Sequence, residues 1–268
     1  MPNPFNDQVI TEFRANQGRV GGYFEGARLI LLTTTGARSG TPHTTPLGYL
    51  PDGGERVIVI GSAGGSPRHP DWYRNLLANP SATVEDGILT YDADATVLTG
   101  PERAEVWARA VEADPGWAAY QEKTTRELPV VALAGRLRLG GSLSATVKQL
   151  HDSFRRELAH IRADVSASGP RLGAQLRVNC LTICAGLGNH HTGEDANIFP
   201  WVASRYPEAA PLLERLSAEH VEMAAVLERL RAVLAGDQAS VAVEVEELVG
   251  LLERHLDYED ANLLPLLD

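Results

Sequence analysis

The sequence predicts two domains of different class: an α+β domain built on a small β-barrel, followed by an all-α antiparallel four-helix bundle. Three observations predict this. Residues up to about 135 are rich in Gly, Pro and short β-branched runs. From about Gln149 a helical apolar period takes over. Between them Gly135 to Ser144, with Gly140-Gly141, reads as a linker. The expected boundaries are 1–135 for the barrel domain, 136–147 for the linker and 148–268 for the bundle.

In the first domain Leu29 to Thr35 and Val57 to Ile60 are short apolar runs bounded by turn residues such as Pro51-Asp-Gly-Gly54, the mark of buried strands. Thr90 to Leu98 is a further strand. Trp72 to Ala78 and Glu102 to Ala113 read as helices, the latter opened by Pro101. In the second domain breaks at Ser168-Gly-Pro170, Tyr206-Pro207 and Gly236-Asp237 leave four helices with short connections, hence antiparallel neighbours.

The bulk numbers exclude several classes. A net charge of −11 argues against nucleic-acid or anionic-membrane partners, which need basic patches. No apolar run is long enough to span a bilayer. The N-terminus has neither a basic nor an apolar leader segment, and Cys180 and Cys184 do not form a disulfide framework. The expectation is a cytoplasmic protein.

Each bundle helix carries a core stripe interrupted by a histidine. The stripes are His151, Phe154, Leu158, Ile161, Val165; Leu176, Cys180, Ile183, Leu187, His190, Glu194; Leu213, Leu216, His220, Met223, Leu227; and Val245, Leu248, Leu252, His255, Glu259. Residues equally far from a connecting loop lie level in an antiparallel hairpin, and by that count His151, His190, His220 and His255 share one level. His160 sits nine residues past His151, on the opposite helical face, and reads as a surface residue. Glu194 and Glu259 follow their histidines by one turn, so each His–carboxylate pair aims at one point. Mixed imidazole and carboxylate ligands, enough for two ions, favour two irons over a closed tetrahedral zinc site. The neighbouring His191, Asp195, Glu219 and Asp260 are read as supporting or surface residues, with His191 as a possible extra ligand and Asp260 as a possible replacement for Glu259.

These residues resemble a hemerythrin-type (HHE cation-binding) domain over 148–268. The match is carried by His151-Asp-x-Phe-Arg155, His190-His-x-x-Glu194-Asp with Phe199-Pro200, Glu219-His220, and His255-x-x-x-Glu259-Asp with Leu264-Pro265. The resemblance implies a bridged di-iron centre that binds or reduces dioxygen, peroxide or nitric oxide. Oxygen-carrying members have a second histidine one turn before the third-helix ligand. Here that place is Leu216, which counts against simple oxygen carriage.

In the first domain three segments stand out. Leu31-Leu-Thr-Thr-Thr-Gly36-Ala-Arg38-Ser39-Gly40-Thr-Pro42 is a strand running into a turn that presents backbone N–H groups and an Arg to an anion. The second is Ser62-Ala-Gly64-Gly65-x-x-x-His69-Pro70-Asp-Trp72-Tyr73-x-Asn75-Leu76. The third is Trp117-x-x-Tyr120-Gln-x-x-Thr124-x-Arg126-x-x-Pro129. Together they describe a Gly-lined, aromatic groove able to take a planar cofactor; Trp72 and Trp117 read equally well as core.

As an ordered set the three segments resemble the deazaflavin-dependent nitroreductase family over about residues 5–133. The resemblance implies a split β-barrel that uses coenzyme F420 to reduce quinones, enones or nitro compounds. It places Arg38, Ser39, Pro46, Ser62, Gly64, Gly65 and Trp72 at the cofactor and makes Tyr120 the proton donor. Ala37, His43, Ala63 and Gly48 stand where the family has basic residues or a tyrosine, with Arg68 and Arg74 able to compensate. FMN is the rival cofactor. The expected protein is an oxidoreductase acting on a small-molecule acceptor, with homodimerisation open. A non-catalytic barrel serving an iron or oxygen sensor is the alternative.

Overall fold

The computed structural model describes residues 3–54, 56–136, 141–168, 172–236 and 240–268. The chain divides into two compact units, Met1–Arg138 with Gly173–Gln175, and Leu139–Leu172 with Leu176–Asp268.

The first unit is a closed barrel of six strands: β1 (Leu29–Thr35), β2 (Pro42–Pro51), β3 (Arg56–Ile60), β4 (Ser81–Glu85), β5 (Thr90–Val97) and β6 (Val130–Arg136), in the order β1-β2-β3-β6-β5-β4. All neighbours are antiparallel, with Leu31 opposite Pro46, Val59 opposite Val131 and Ala93 opposite Gly135. Closure leaves no free sheet edge. β1, β3 and β6 carry continuous apolar runs because both faces are covered along most of their length. Ile30, Leu32, Val59, Val84, Ala93, Val131 and Leu133 form the barrel core. Leu29 and Leu31 on the other face of β1 are covered by Val9 and Phe13 of α1 (Pro4–Ala15). Ile58, Ile60, Val130 and Ala132 pack on Val106 and Ala110 of α3 (Gly100–Ala113). Two further helices, α2 (Asp71–Ala78) and α4 (Gly116–Glu122), follow the loops of interest.

The second unit contains α5 (Leu143–Ser168), α6 (Ala174–Gly193), α7 (Phe199–Arg205), α8 (Ala210–Ala235) and α9 (Val241–Asn262). Helix α5 begins at Leu143, inside the expected linker; residues 137–140 of that linker, Gly169-Pro170 and Asp237 lie outside the described residues. Residues Glu194–Ile198 continue α6 as one π-helical turn into α7. The cause is local. Pro200 has no N–H to give the Ala196 carbonyl, and the Phe199 N–H reaches back five residues to Glu194 O instead. Such turns concentrate at functional sites, and this one begins on a predicted ligand. Two apolar layers fill the bundle. One runs from Leu158 and Leu187 to Leu234 and Val241; the other includes Val147, Phe199, Leu213, Leu216 and Leu263. The histidines lie between these layers.

Candidate metal centre and cofactor groove

Five histidines, not four, meet in the bundle. His151, His191, His220 and His255 are buried and His190 is nearly so. They form two groups with Glu194 and Glu259: His191, His220 and His255 in one, His151, His190, Glu194 and Glu259 in the other, with potential ligand atoms in each group within 4.8 Å of one another. Glu194 and Glu259 stand between the groups. Glu194 Oε2 is 3.4 Å from His190 Nε2 and 3.6 Å from His220 Nε2. Glu259 Oε2 is 3.4 Å from His151 Nε2 and 3.3 Å from His255 Nε2.

None of these contacts is a hydrogen bond. The Nε2 atoms of all five histidines and both oxygens of Glu194 and Glu259 are buried without a hydrogen-bond partner. Leaving one such group unsatisfied costs about 1–3 kcal/mol, so nine together in one place call for a shared partner. Ligands about 2.1 Å from one cation lie about 3.0–3.4 Å apart when cis or tetrahedral, close to the spacings seen.

The opposite ring nitrogens are held from outside. His151 Nδ1 pairs with Asp260 Oδ1 at 2.7 Å, and His255 Nδ1 with Glu219 Oε2 at 2.8 Å. Asp260 is anchored in turn by Arg155 Nη2 at 3.0 Å. Asp195 Oδ1 lies 3.1 Å from His220 Nδ1 but out of line for a hydrogen bond. A carboxylate behind a ligating imidazole fixes its tautomer and aims Nε2 inward. Glu219 and Asp260 thus bond to the outer ring nitrogens of His255 and His151, while both oxygens of Glu259 face inward without a hydrogen-bond partner. Half-buried His160 belongs to neither group. Phe199 stacks on His220 at 5.3 Å between ring centroids, and Phe154 lies 5.2 Å from His190.

Electrostatics follow from burial. Desolvation first, and then the neighbouring histidines, pull His190 down to about 3 and His191 down to about 2. Desolvation, then the charge of Glu259, pushes Glu194 up to about 9. His220 is lowered, mainly by burial. His255 is raised: desolvation is its largest influence and acts downward, but the nearby carboxylates of Glu259 and Glu219, the latter hydrogen-bonded to it, outweigh it. Without a cation the site therefore prefers neutral groups.

His191 departs from its expected role, and the reason is angular. On a helix stepping about 100° per residue, His190 stands 40° to one side of Glu194 and His191 60° to the other, so both flank the carboxylate. The signal was present as a second stripe: Cys180, Cys184, Leu187 and His191 follow one another at helical core spacing, and the first three are 0% exposed.

In the barrel unit the Thr33-Thr-Thr-Gly36 turn is tied to α2. Asn75 Nδ2 donates to Thr34 Oγ1 at 3.0 Å, and the Ala37 N–H donates to Asn75 Oδ1 at 2.9 Å. A Cβ at Gly36 would meet the Ser39 hydroxyl and come within 2.8 Å of His43 Nε2, so a larger residue there would have to displace both side chains. The loop 61–69 is gathered by Arg126, which donates to the carbonyls of Ser66, Gly61 and Ser62 at 2.8, 3.0 and 2.7 Å. Ala63, Gly64 and Gly65 within it all have positive φ (47, 63 and 83°). A Cβ on Gly65 would meet Lys123 Cβ at 2.6 Å and Tyr120 O at 3.2 Å, so this turn and α4 are in direct contact. A hydrogen bond to Tyr23, and then partial burial, hold the Tyr120 phenol above its usual range. Arg38 and Ser39 are exposed, while Pro46 and Ser62 are half-buried. Trp72 does not line the groove: it is 4% exposed and belongs to the barrel core, edge-on to Tyr73. Burying the indole outweighs any role as an open surface. Asn75 and Arg126 lay within the motifs read from the sequence, but their parts in closing the loops are visible only here.

Residues 7–134 match the model of the F420H(2)-dependent quinone reductases, and 142–267 match the hemerythrin HHE cation binding domain. An F420H(2)-dependent quinone reductase of Mycobacterium tuberculosis strain H37Rv is 37% identical over 128 residues, 46% of this chain and 85% of that protein. The chain belongs to the F420H(2)-dependent quinone reductase family. Among solved structures, an F420-H2 dependent reductase is 43% identical, aligning 40% of this chain and 93% of its own at a TM-score of 0.37. Another, described as a domain-swapped dimer, is 39% identical and aligns 47% of this chain and 92% of its own at 0.39.

An F420H(2)-dependent quinone reductase domain followed by a hemerythrin HHE domain is thus the organisation of this oxidoreductase, as the motifs implied. Within the reductase domain the cations on the site loops fit an acidic cofactor. The side chains of Arg38 and Arg68 have no ion-pair partner among the described residues, and Lys123 Nζ lies 5.2 Å over the Tyr120 ring. Arg74 is 3.6 Å from Asp71. At Gly48, where the family pattern has a tyrosine, a Cβ would find only Arg28 O at 3.9 Å. No helix among the described residues is long and apolar enough to cross a membrane.

Proposed function

We propose that the barrel passes a hydride from reduced F420 to a small organic acceptor, a quinone, enone or nitro compound, and that the bundle holds two irons that bind dioxygen, peroxide or nitric oxide. The observation that carries the second half is the set of nine buried, unpartnered ligand atoms at one level of the bundle. The first half rests on family membership together with the Gly64-Gly65 turn packed against Tyr120 and Lys123.

In this reading Arg38, Ser39, Pro46, Ser62, Gly64 and Gly65 border the deazaflavin, with Trp72 backing them from the core. The group supplies hydride chemistry when bound; the protein supplies orientation and a proton. Tyr120, like any phenol, carries its proton at neutral pH, and the surroundings that raise it further keep it so; its hydroxyl can donate to the reduced acceptor. Arg38, Arg68 and Lys123 attract the acidic end of the cofactor. In the bundle, His151, His190, His220, His255, Glu194 and Glu259 would hold the irons. Iron held there supplies the means to bind oxygen species. Asp260 and Glu219 keep the imidazoles of His151 and His255 aimed, and Phe154 and Phe199 exclude water.

The test uses the full iron-loaded chain. Anaerobic loss of reduced F420 in the presence of a quinone, together with about two irons per chain, is expected. Failure to bind F420 below high micromolar concentration removes the reductase half, and zinc or no metal removes the other. Electron passage between the two domains is tested by rapid mixing: the iron spectrum responds to reduced F420, or the domains act separately.

A further inference from the structure

The ligand set carried over from the family resemblance is one nitrogen short, because Leu216 stands where oxygen carriers have a histidine. Leu216 is fully buried in the apolar layer with Phe199, Val202 and Leu263, so it offers neither a donor nor room for one. His191 comes from a different helix and reaches the same group. It is 5% exposed, its Nε2 has no hydrogen-bond partner, and its ligand atom lies within 4.8 Å of those of His220 and His255.

We propose that His191 is a metal ligand that takes the place vacated at Leu216, so that His191, His220 and His255 hold one ion while His151 and His190 hold the other. The proposal rests on the di-iron reading and deepens it. The two carboxylates stand between both groups, with Glu194 near His190 and His220 and Glu259 near His151 and His255. Counting ligands then gives the first ion three nitrogens and two oxygens, and the second two nitrogens and two oxygens. The centre regains five imidazoles, and the ion at His151 and His190 keeps the more open shell. The bundle core runs Cys180, Cys184, Leu187, His191, so a hydrophobic residue is what that stripe would otherwise place there, and packing alone gives no reason for an imidazole with an unpaired buried nitrogen.

The experiment is iron loading of the metal-free full-length chain, followed by removal of weakly held metal with a chelator and metal analysis, for the natural protein and for His191→Ala. Two irons in the natural protein are expected, with one lost from His191→Ala through a weakening of at least tenfold. Added imidazole should restore the second iron, since it can enter the space and ligate in place of the side chain. His191→Ala that retains two irons as firmly as the natural protein overturns the assignment while leaving the di-iron reading intact. Loss of both irons that imidazole does not reverse, with altered circular dichroism, gives His191 a packing role and overturns it as well. A natural protein that takes up no iron removes both readings.

Discussion

The metal-free bundle should be most stable near pH 6.5 and should weaken in both directions. His190 and His191 are neutral in the fold, with pKa values near 3 and 2 against 6.5 when unfolded. Below pH 6.5 the unfolded chain binds more protons than the folded one, so stability falls as the pH falls. Glu194 is the opposite case. Its pKa is raised from 4.5 to about 9, so the fold keeps a proton that the unfolded chain releases, and stability falls as pH rises from 4.5 toward 9. One proton per pH unit corresponds to about 1.4 kcal/mol. Above pH 6.5 Glu194 acts alone among these three, and two pH units cost about 3 kcal/mol. His255, raised in the fold, adds to this alkaline loss as the pH passes through its folded value. Between pH 6.5 and 4.5 the two histidines outweigh the carboxylate by one proton, again about 3 kcal/mol over the interval. Lowered His220 acts in the same direction. The assay is urea unfolding of the metal-free chain followed by helical circular dichroism from pH 5 to 9. Glu194→Gln, which cannot ionise, should flatten most of the alkaline arm, and iron should do the same by binding the ionised carboxylate. An alkaline arm of equal slope in Glu194→Gln would refute the assignment of this cost to Glu194.

Three further outcomes follow from single contacts. Asp260→Ala removes the carboxylate 2.7 Å behind His151 Nδ1, and chelator competition should show iron held roughly 10–100-fold less tightly. Gly65→Ala puts a Cβ 2.6 Å from Lys123 Cβ at φ +83°; thermal unfolding should show the barrel weakened by about 1–3 kcal/mol, with F420 binding weakened in parallel. Tyr120→Phe should lower kcat by about 10²–10⁴ while leaving F420 affinity nearly unchanged, measured by fluorescence titration beside steady-state rates; unchanged turnover would take the proton-donor role from Tyr120.

How legible the molecule was depended on the range of the signal. Leu29–Thr35 was read to the residue because a β-branched run covered on both faces has no alternating pattern to misread. The strands Pro42–Pro51 and Ser81–Glu85 escaped notice. Pro42, Pro46 and Pro51 obscure the first, and the second is short and polar. The level of the four histidines followed from loop distances alone, since antiparallel helices of constant rise convert counting into height. The sequence leaves His191 between a supporting or surface role and an extra ligand, because the stripe through His190 does not include it. The buried arc of α6 is wide enough for two, and its width depends on how many neighbours surround the helix.

By itself the sequence determined the two-part organisation, the family of each part and six of the seven His and Glu side chains that converge inside the bundle, because periodicity and motif spacing are properties of the chain's local geometry. The tertiary structure decided three matters that depend on convergence of distant segments. It turned His191 inward beside Glu194. It stood Glu219 and Asp260 against the outer nitrogens of His255 and His151. It also placed Trp72 in the barrel core, with Asn75 and Arg126 shaping the loops instead. In each case the outcome is set by which buried polar atoms can find partners across helices or strands, and no single segment holds that information.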